Sequence, residues 1–188
     1  MQEWSDLDPD TEPEDWWRFL DDILFWWLGT VGELLAFLNF INNFHPAIKF
    51  TWEFNPVTRS VNFLDMIIWV DENGFIQTDL YVKPNSKNNY LLPGSNHPSH
   101  VTRNIPYSLS YRLLQICSQR ERFEFRLEEL KVLLMERGYR RRVIDAAFEK
   151  VRVLDRTSAL EKVTRSAEGT GLKLSSDMTG GFQISRAF

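Results

Sequence analysis

The stretch Arg18-Phe19-Leu20-Asp21-Asp22-Ile23-Leu24-Phe25-Trp26-Trp27 sets the tightest limit on what this chain can fold into. Two adjacent carboxylates divide two short runs of aromatic and aliphatic residues. Runs of this length around a turn-prone pair predict two buried strands joined by a tight turn at Asp21-Asp22. Asp suits a turn because its side chain bonds nearby backbone amides. Charges this close to apolar neighbours are costly unless they are paired or hold a metal. Two readings stand at this point. One is a magnesium site for phosphoryl chemistry, because Mg2+ is commonly held by one or two carboxylates plus substrate phosphates. The other is an Asp-Asp hairpin turn facing water.

The 188 residues, 43% hydrophobic and 14% aromatic, suffice for one domain or for a small core with an appended helical unit. The net charge of −4 is unevenly spread. Residues 1–18 carry seven acids and one Arg, whereas residues 97–156 carry 13 Lys or Arg against 8 Asp or Glu. The basic C-terminal half is therefore the part suited to nucleic acid. Cys117 is the single cysteine, which rules out an intrachain disulfide and a thiolate-rich zinc site. Its place on an apolar helix face reads as inert core. No basic and apolar leader opens the chain, so no secretory signal is expected. Arg18, Asp21, Asp22, Glu33 and Asn39 interrupt the longest apolar stretches, so no transmembrane span and no membrane partner are expected. The expected location is intracellular, nuclear or cytoplasmic.

Residues 1–15 are acidic, contain Pro9 and Pro13, and read as disordered. Thr30-Val31-Gly32-Glu33 has the spacing of a capping box and predicts a helix over 31–43. Ile48 to Phe54 reads as a strand. Asn55-Pro56-Val57-Thr58 turns the chain into a run from Val61 to Val70, and Asn73-Gly74 makes a hairpin with the strand from Phe75 to Val82. Residues 84–104 form a linker rich in Pro, Asn, Ser and Gly. The periodicity then becomes helical, predicting a three-helix bundle within 105–164: 106–119 opened by Pro106, 123–136 capped by Gly138, and 140–153. Residues 165–188 are rich in Gly, Ser and Thr and read as a disordered tail.

Several side chains invite a role. His97 and His100 have no third metal ligand at a useful spacing and read as a pair facing water or phosphate. The run Arg140-Arg141-Arg142, beside Arg137 and within reach of Arg103 or Arg112 across a small bundle, is either a solvated face or a contact for a phosphate backbone. Tyr81, Tyr107 and Tyr111 either stack on bases or pack. Lys49 is either a surface lysine or a general acid near metals.

The ordered segments from Trp16 to Val163 resemble the reverse transcriptase of Penelope-like retroelements, from late palm through thumb. The resemblance is carried by Arg18-Phe19-Leu20-Asp21-Asp22-Ile23, Phe37-Leu38-Asn39, His45-Pro46-Ala47-Ile48-Lys49-Phe50-Thr51 and Asn62-Phe63-Leu64-Asp65. It continues through Tyr81-Val82-Lys83-Pro84, His97-Pro98-Ser99-His100, Arg103-Asn104-Ile105-Pro106-Tyr107-Ser108, Arg112-Leu113, Ile116-Cys117-Ser118 and Arg137-Gly138-Tyr139.

The resemblance implies an α+β fold: a partial palm of antiparallel strands with one helix over 16–83, then a thumb-like bundle over 105–164. It implies that Asp21 and Asp22 are catalytic metal ligands for Mg2+, Asp21 foremost, with Phe19 where the family usually has Tyr. By the same likeness Lys49 protonates pyrophosphate and Phe63 lies in the primer-grip hairpin. Arg103, Arg112, Arg137, Arg140 and Arg141 would hold the duplex of RNA template and DNA primer, and deoxynucleoside triphosphates would be substrates once the missing palm and fingers were supplied. The upstream carboxylate, the fingers and the GIY-YIG endonuclease that often follows are absent from this sequence. It therefore looks like a truncated open reading frame, expected to be inactive alone. The alternative is a non-catalytic nucleic-acid-binding helical module derived from a retroelement.

Overall fold

The computed structural model describes Pro13 and residues 15–53, 55, 57–86, 89–166 and 181–187, with backbone alone for 162–166 and 181–187. The chain is α+β and divides into two compact units, Met1–Gln77 with Ser175–Phe188 and Thr78–Leu174.

In the first unit, β1 (Asp15–Phe19) and β2 (Asp22–Trp27) form an antiparallel hairpin with Phe19 opposite Asp22. The turn is one residue earlier than expected: Leu20 and Asp21 make it, and Asp22 opens β2. Ile23, Phe25 and Trp27 pack on Leu34, Phe37 and Leu38 of α1 (Val31–Phe44), while Leu24 and Trp26 pack on Val61, Phe63 and Ile68. Both faces of β2 are therefore covered, which is why its residues form an unbroken apolar run instead of an alternation. The helix begins at the expected capping box. The Glu33 amide donates to Thr30 Oγ1 at 3.3 Å, and the Thr30 amide donates back to Glu33 Oε2 at 2.6 Å.

β3 (Phe50–Glu53) is shorter than the expected strand, and Lys49 precedes it. Phe54 and Pro56 lie outside the described residues. The four-stranded sheet runs β1-β2-β7-β3, where β7 (Gly181–Ala187) is antiparallel to both neighbours. This corrects part of the expected tail. Phe182 and Ile184 alternate with polar residues, a short period-two signal submerged in the Gly- and Ser-rich composition around it. The rest of the two expected disordered ends, 1–12 and 167–180 with Glu14 and Phe188, lies outside the described residues.

β4 (Ser60–Phe63), β5 (Met66–Val70) and β6 (Ile76–Leu80) form a three-stranded sheet, and β6 carries the chain into the second unit. The Asn73-Gly74 turn forms as expected. Asp71 Oδ1 accepts from the amides of Asn73 and Phe75, each at 2.9 Å, and Gly74 takes a φ of 84°.

Among the described residues the second unit holds four helices where three were expected: α2 (Ser99–Ile116), α3 (Arg120–Glu136), α4 (Arg141–Arg152) and α5 (Arg156–Ser166). α2 opens inside the expected linker, and Pro106 sits within it instead of starting it. Its first turns are held by side-chain bonds: the Ser99 carbonyl accepts from Arg103 Nε at 3.0 Å and Thr102 Oγ1 at 3.3 Å. α3 ends in the paired bonds of a Schellman motif, Tyr139 N to Leu134 O at 3.0 Å and Gly138 N to Met135 O at 2.9 Å. Gly138 at φ 87° supplies the left-handed residue this needs.

Leu113, Phe123, Leu127, Ile144, Phe148 and Val151 form the core of this unit. At its edge, Asp79 is 2% exposed and takes both forks of Arg126, Nε to Oδ1 at 3.0 Å and Nη2 to Oδ2 at 2.9 Å. Cys117 Sγ donates to the same carboxylate at 3.4 Å. Burial and the adjacent Asp79 charge push the Cys117 thiol up to about 12, which makes it the inert core residue expected. No described helix is long and apolar enough to cross a membrane.

Candidate functional site

The two expected sites fall in separate units. In the first, Asp21 is exposed at the tip of the β1–β2 hairpin and Asp22 is half-buried beside it. The sheet register sets Phe19, Asp22, Arg186 and Thr51 in one row across four strands. Lys49 stands two residues before Thr51, so it lies at the same end of the sheet as the Asp pair, two strand spacings or roughly 10 Å away. The Lys49 ammonium is engaged locally, donating to the Asn42 carbonyl at the end of α1. Two carboxylates match the protein's share of a magnesium ion that also binds substrate phosphates. A two-metal centre needs more, and among the described residues no group of three or more His, Cys, Asp or Glu comes together.

Phe63 was expected to touch nucleic acid. It is instead 8% exposed and packed with Leu24, Trp26, Val61 and Ile68. Its ring is core, because the period-two alternation of β4 turns Val61 and Phe63 inward.

In the second unit the expected arginines separate. Arg103 and Arg112 are nine residues apart on α2, and at about 100° per residue nine steps bring them to opposite sides of the helix. Arg112 lines a groove of about 510 Å3 with Leu109, Leu113, Leu130, Arg126 and Glu129. Arg103 lines another, of about 680 Å3, between α2 and α4. Arg137 is the C-cap of α3 and donates to Asn89 Oδ1. Arg140 is the N-cap of α4, and Arg141 Nε lies 3.5 Å from Asp145 Oδ2.

The α2–α4 groove brings basic residues of two helices together. Arg103, Asn104 and Tyr107 line it from α2, and Arg142, Val143, Ala146, Ala147 and Lys150 from α4. Three cations and no carboxylate line it. Spacings of three and four residues put each set on one stripe of its helix. The groove around Arg112 holds Glu129 and a mostly apolar lining, so it lacks this one-signed character.

Tyr107 stacks on Tyr111 with ring centroids 6.0 Å apart and planes 20° from parallel, and the Tyr111 hydroxyl donates to the Ala159 carbonyl at 3.4 Å. Asn104 Nδ2 donates to Ser108 Oγ at 3.0 Å. Sequence reasoning reached Arg103, Arg142 and Tyr107 but missed Asn104 and Lys150. The eight-residue spacing from Arg142 to Lys150, with Ala146 midway, was the available signal for Lys150.

His97 Nδ1 is 3.2 Å from Ser95 Oγ, and His100 lies in the first turn of α2.

No curated protein and no solved structure matches the chain. A family model described as Animal helix-turn-helix domain matches residues 89–149, about a third of the 188 residues, which takes in α2, α3 and most of α4 and makes this segment similar to that family.

Proposed function

We propose that the helical unit binds nucleic acid through the groove between α2 and α4. The observation that carries this reading is the convergence of Arg103, Arg142 and Lys150 on one groove without a carboxylate. The likeness of residues 89–149 to a helix-turn-helix family supports it, because such motifs dock a helix against nucleic acid. Arg140 and Arg141 add charge at the N-terminal end of α4, next to Arg142 in the chain. Binding of a labelled oligonucleotide, followed by anisotropy over a salt series, tests it. Neutralising about three phosphates gives a log–log salt slope of roughly −2 to −3. Replacing Arg142 and Lys150 together by Gln should flatten that slope and weaken binding at low salt. Absence of binding at low salt, or binding indifferent to the double replacement, overturns the reading.

A second reading concerns the reaction. We propose it from the resemblance alone: the chain would correspond to a late palm and thumb piece of a Penelope-like reverse transcriptase, whose ancestral chemistry is Mg2+-dependent DNA synthesis on an RNA template. The Asp21-Asp22 hairpin tip, with Lys49 at the same end of the sheet, favours it. In this reading Asp21 and Asp22 hold Mg2+ together with substrate phosphates. With only that pair as protein ligands among the described residues, the isolated chain is expected to be inactive. Primer extension with deoxynucleoside triphosphates checks this, and incorporation by the isolated chain would show a more complete site than the described carboxylates make.

A further inference from the structure

We propose that the α2–α4 groove seats the base of an unpaired nucleotide, so that the helical unit prefers single-stranded nucleic acid to blunt duplex. The proposal rests on the nucleic-acid reading above and specifies its ligand. Three observations carry it. First, the site is an open groove between two helices. A duplex is read by an element that protrudes, since a helix must enter a major groove about 12 Å wide. The contact face of α4 is instead the wall of a groove shared with α2. Its volume of about 680 Å3 falls in the range of small-ligand sites, roughly 300–1,000 Å3. The flat faces of paired bases are hidden in the stack, whereas an unpaired base offers one.

Second, the groove offers surfaces suited to such a face. Ala146 and Ala147 leave a shallow apolar step next to Tyr107. The Tyr107 ring is held against Tyr111, which is itself bonded to α5. An aromatic ring fixed in advance is a stacking platform that loses little freedom on binding. Third, the cations flank this step instead of filling it. Arg142 and Lys150 lie eight residues apart, about 12 Å along α4, with Ala146 midway and Arg103 on the facing wall. That places charge for the phosphates on either side of a seated base.

The test compares three DNA probes of equal length by anisotropy at one ionic strength: a single strand, the same strand annealed to its complement, and a strand made of abasic residues. The single strand is expected to bind at least roughly tenfold more tightly than either of the others, the stacking of one base being sufficient for that factor. Ala146 is exposed, so Ala146→Phe fills the groove without threatening the core or changing any charge. It should lower the affinity for the single strand to that for the abasic strand, abolishing the single-strand preference. Equal binding of the abasic strand, or duplex affinity that matches or exceeds that of the single strand, overturns the proposal and leaves the broader nucleic-acid reading standing. Failure of all three probes to bind at low salt overturns both.

Discussion

Two acidic positions contrast sharply. Asp21 and Asp22 stand between apolar runs, and Asp79 stands in Ile76-Gln77-Thr78-Asp79-Leu80, also beside aliphatic residues. By sequence the first pair looks like the costly buried charge. In the fold Asp21 is exposed at a hairpin tip and Asp79 is the buried carboxylate. The difference is one of position along a strand. A turn lifts its residues clear of both faces of the sheet, whereas a strand interior must turn alternate residues inward. Asp79 is turned inward and is satisfied there by Arg126, with Arg122 Nη1 at 3.7 Å as well.

Breaking the Asp79 pair should have the largest effect. Asp79→Ala leaves the partly buried Arg126 guanidinium without its bidentate partner and should cost about 3–5 kcal/mol in denaturant unfolding followed by circular dichroism. Replacing both partners with apolar residues of similar volume should cost far less, because the loss comes mainly from the stranded charge. A double variant as unstable as the single one would show that the pair itself stabilises the fold.

The pH dependence has a defined sign. Burial works to raise the Asp79 carboxyl, but the hydrogen bonds from Arg126 and from the Leu80 amide outweigh it and hold it below its ordinary value of 3.8. A carboxyl lowered in the folded state contributes stability above its unfolded value and loses that contribution as pH falls through its folded value. The Asp79 contribution is therefore complete at neutral pH and disappears below about pH 4. Asp79→Asn should flatten that part of the acid unfolding curve.

The hairpin itself offers a smaller test. Phe19-Leu20-Asp21-Asp22 has a twin in Phe63-Leu64-Asp65-Met66, where Phe63 pairs with Met66 just as Phe19 pairs with Asp22. Both leucines take left-handed conformations, φ 55° at Leu20 and 57° at Leu64. A left-handed non-glycine residue costs about 1–2 kcal/mol, partly offset by the freedom that glycine has when unfolded. Leu20 is 73% exposed, so Leu20→Gly should stabilise by about 0.5–1 kcal/mol. Leu64 packs against the core under its sheet, so Leu64→Gly also loses apolar burial and should give no gain in thermal unfolding.

This twin shows what was legible and what was not. Local chemistry was legible: the Thr30–Glu33 capping box, the Asn73-Gly74 turn and the Gly138 cap each act through residues within a few positions of one another. The long-range arrangement was not. β7 depends on pairing with β2 and β3, well over a hundred residues away, and only its short alternation marks it. Pro106 suggested a helix start, yet α2 begins seven residues earlier, at Ser99. The basic groove was half legible. The arginines were visible in the sequence, but the half-turn of α2 that sets Arg112 away from Arg103 mattered only once α4 was known to pack against one side. The Phe-Leu-Asp motif was legible as a turn twice over, once with Asp21 and once with Asp65. What distinguishes the first hairpin is Asp22, the one residue of the motif that its twin replaces, with Met66.

The smallest expected effect follows from that distinction. If Asp21 serves only the turn, Asp21→Asn keeps a side chain able to accept turn hydrogen bonds and should change stability by no more than about 0.5 kcal/mol. Asp22 is half-buried and already engaged in an interaction, so Asp22→Ala should cost more than the same change at Asp21. Chemical denaturation of the two variants side by side measures the order. A larger loss at Asp21 would mean that the tip carboxylate has a partner beyond the turn, and the exposed pair would then resemble Asp79 more than its position suggests.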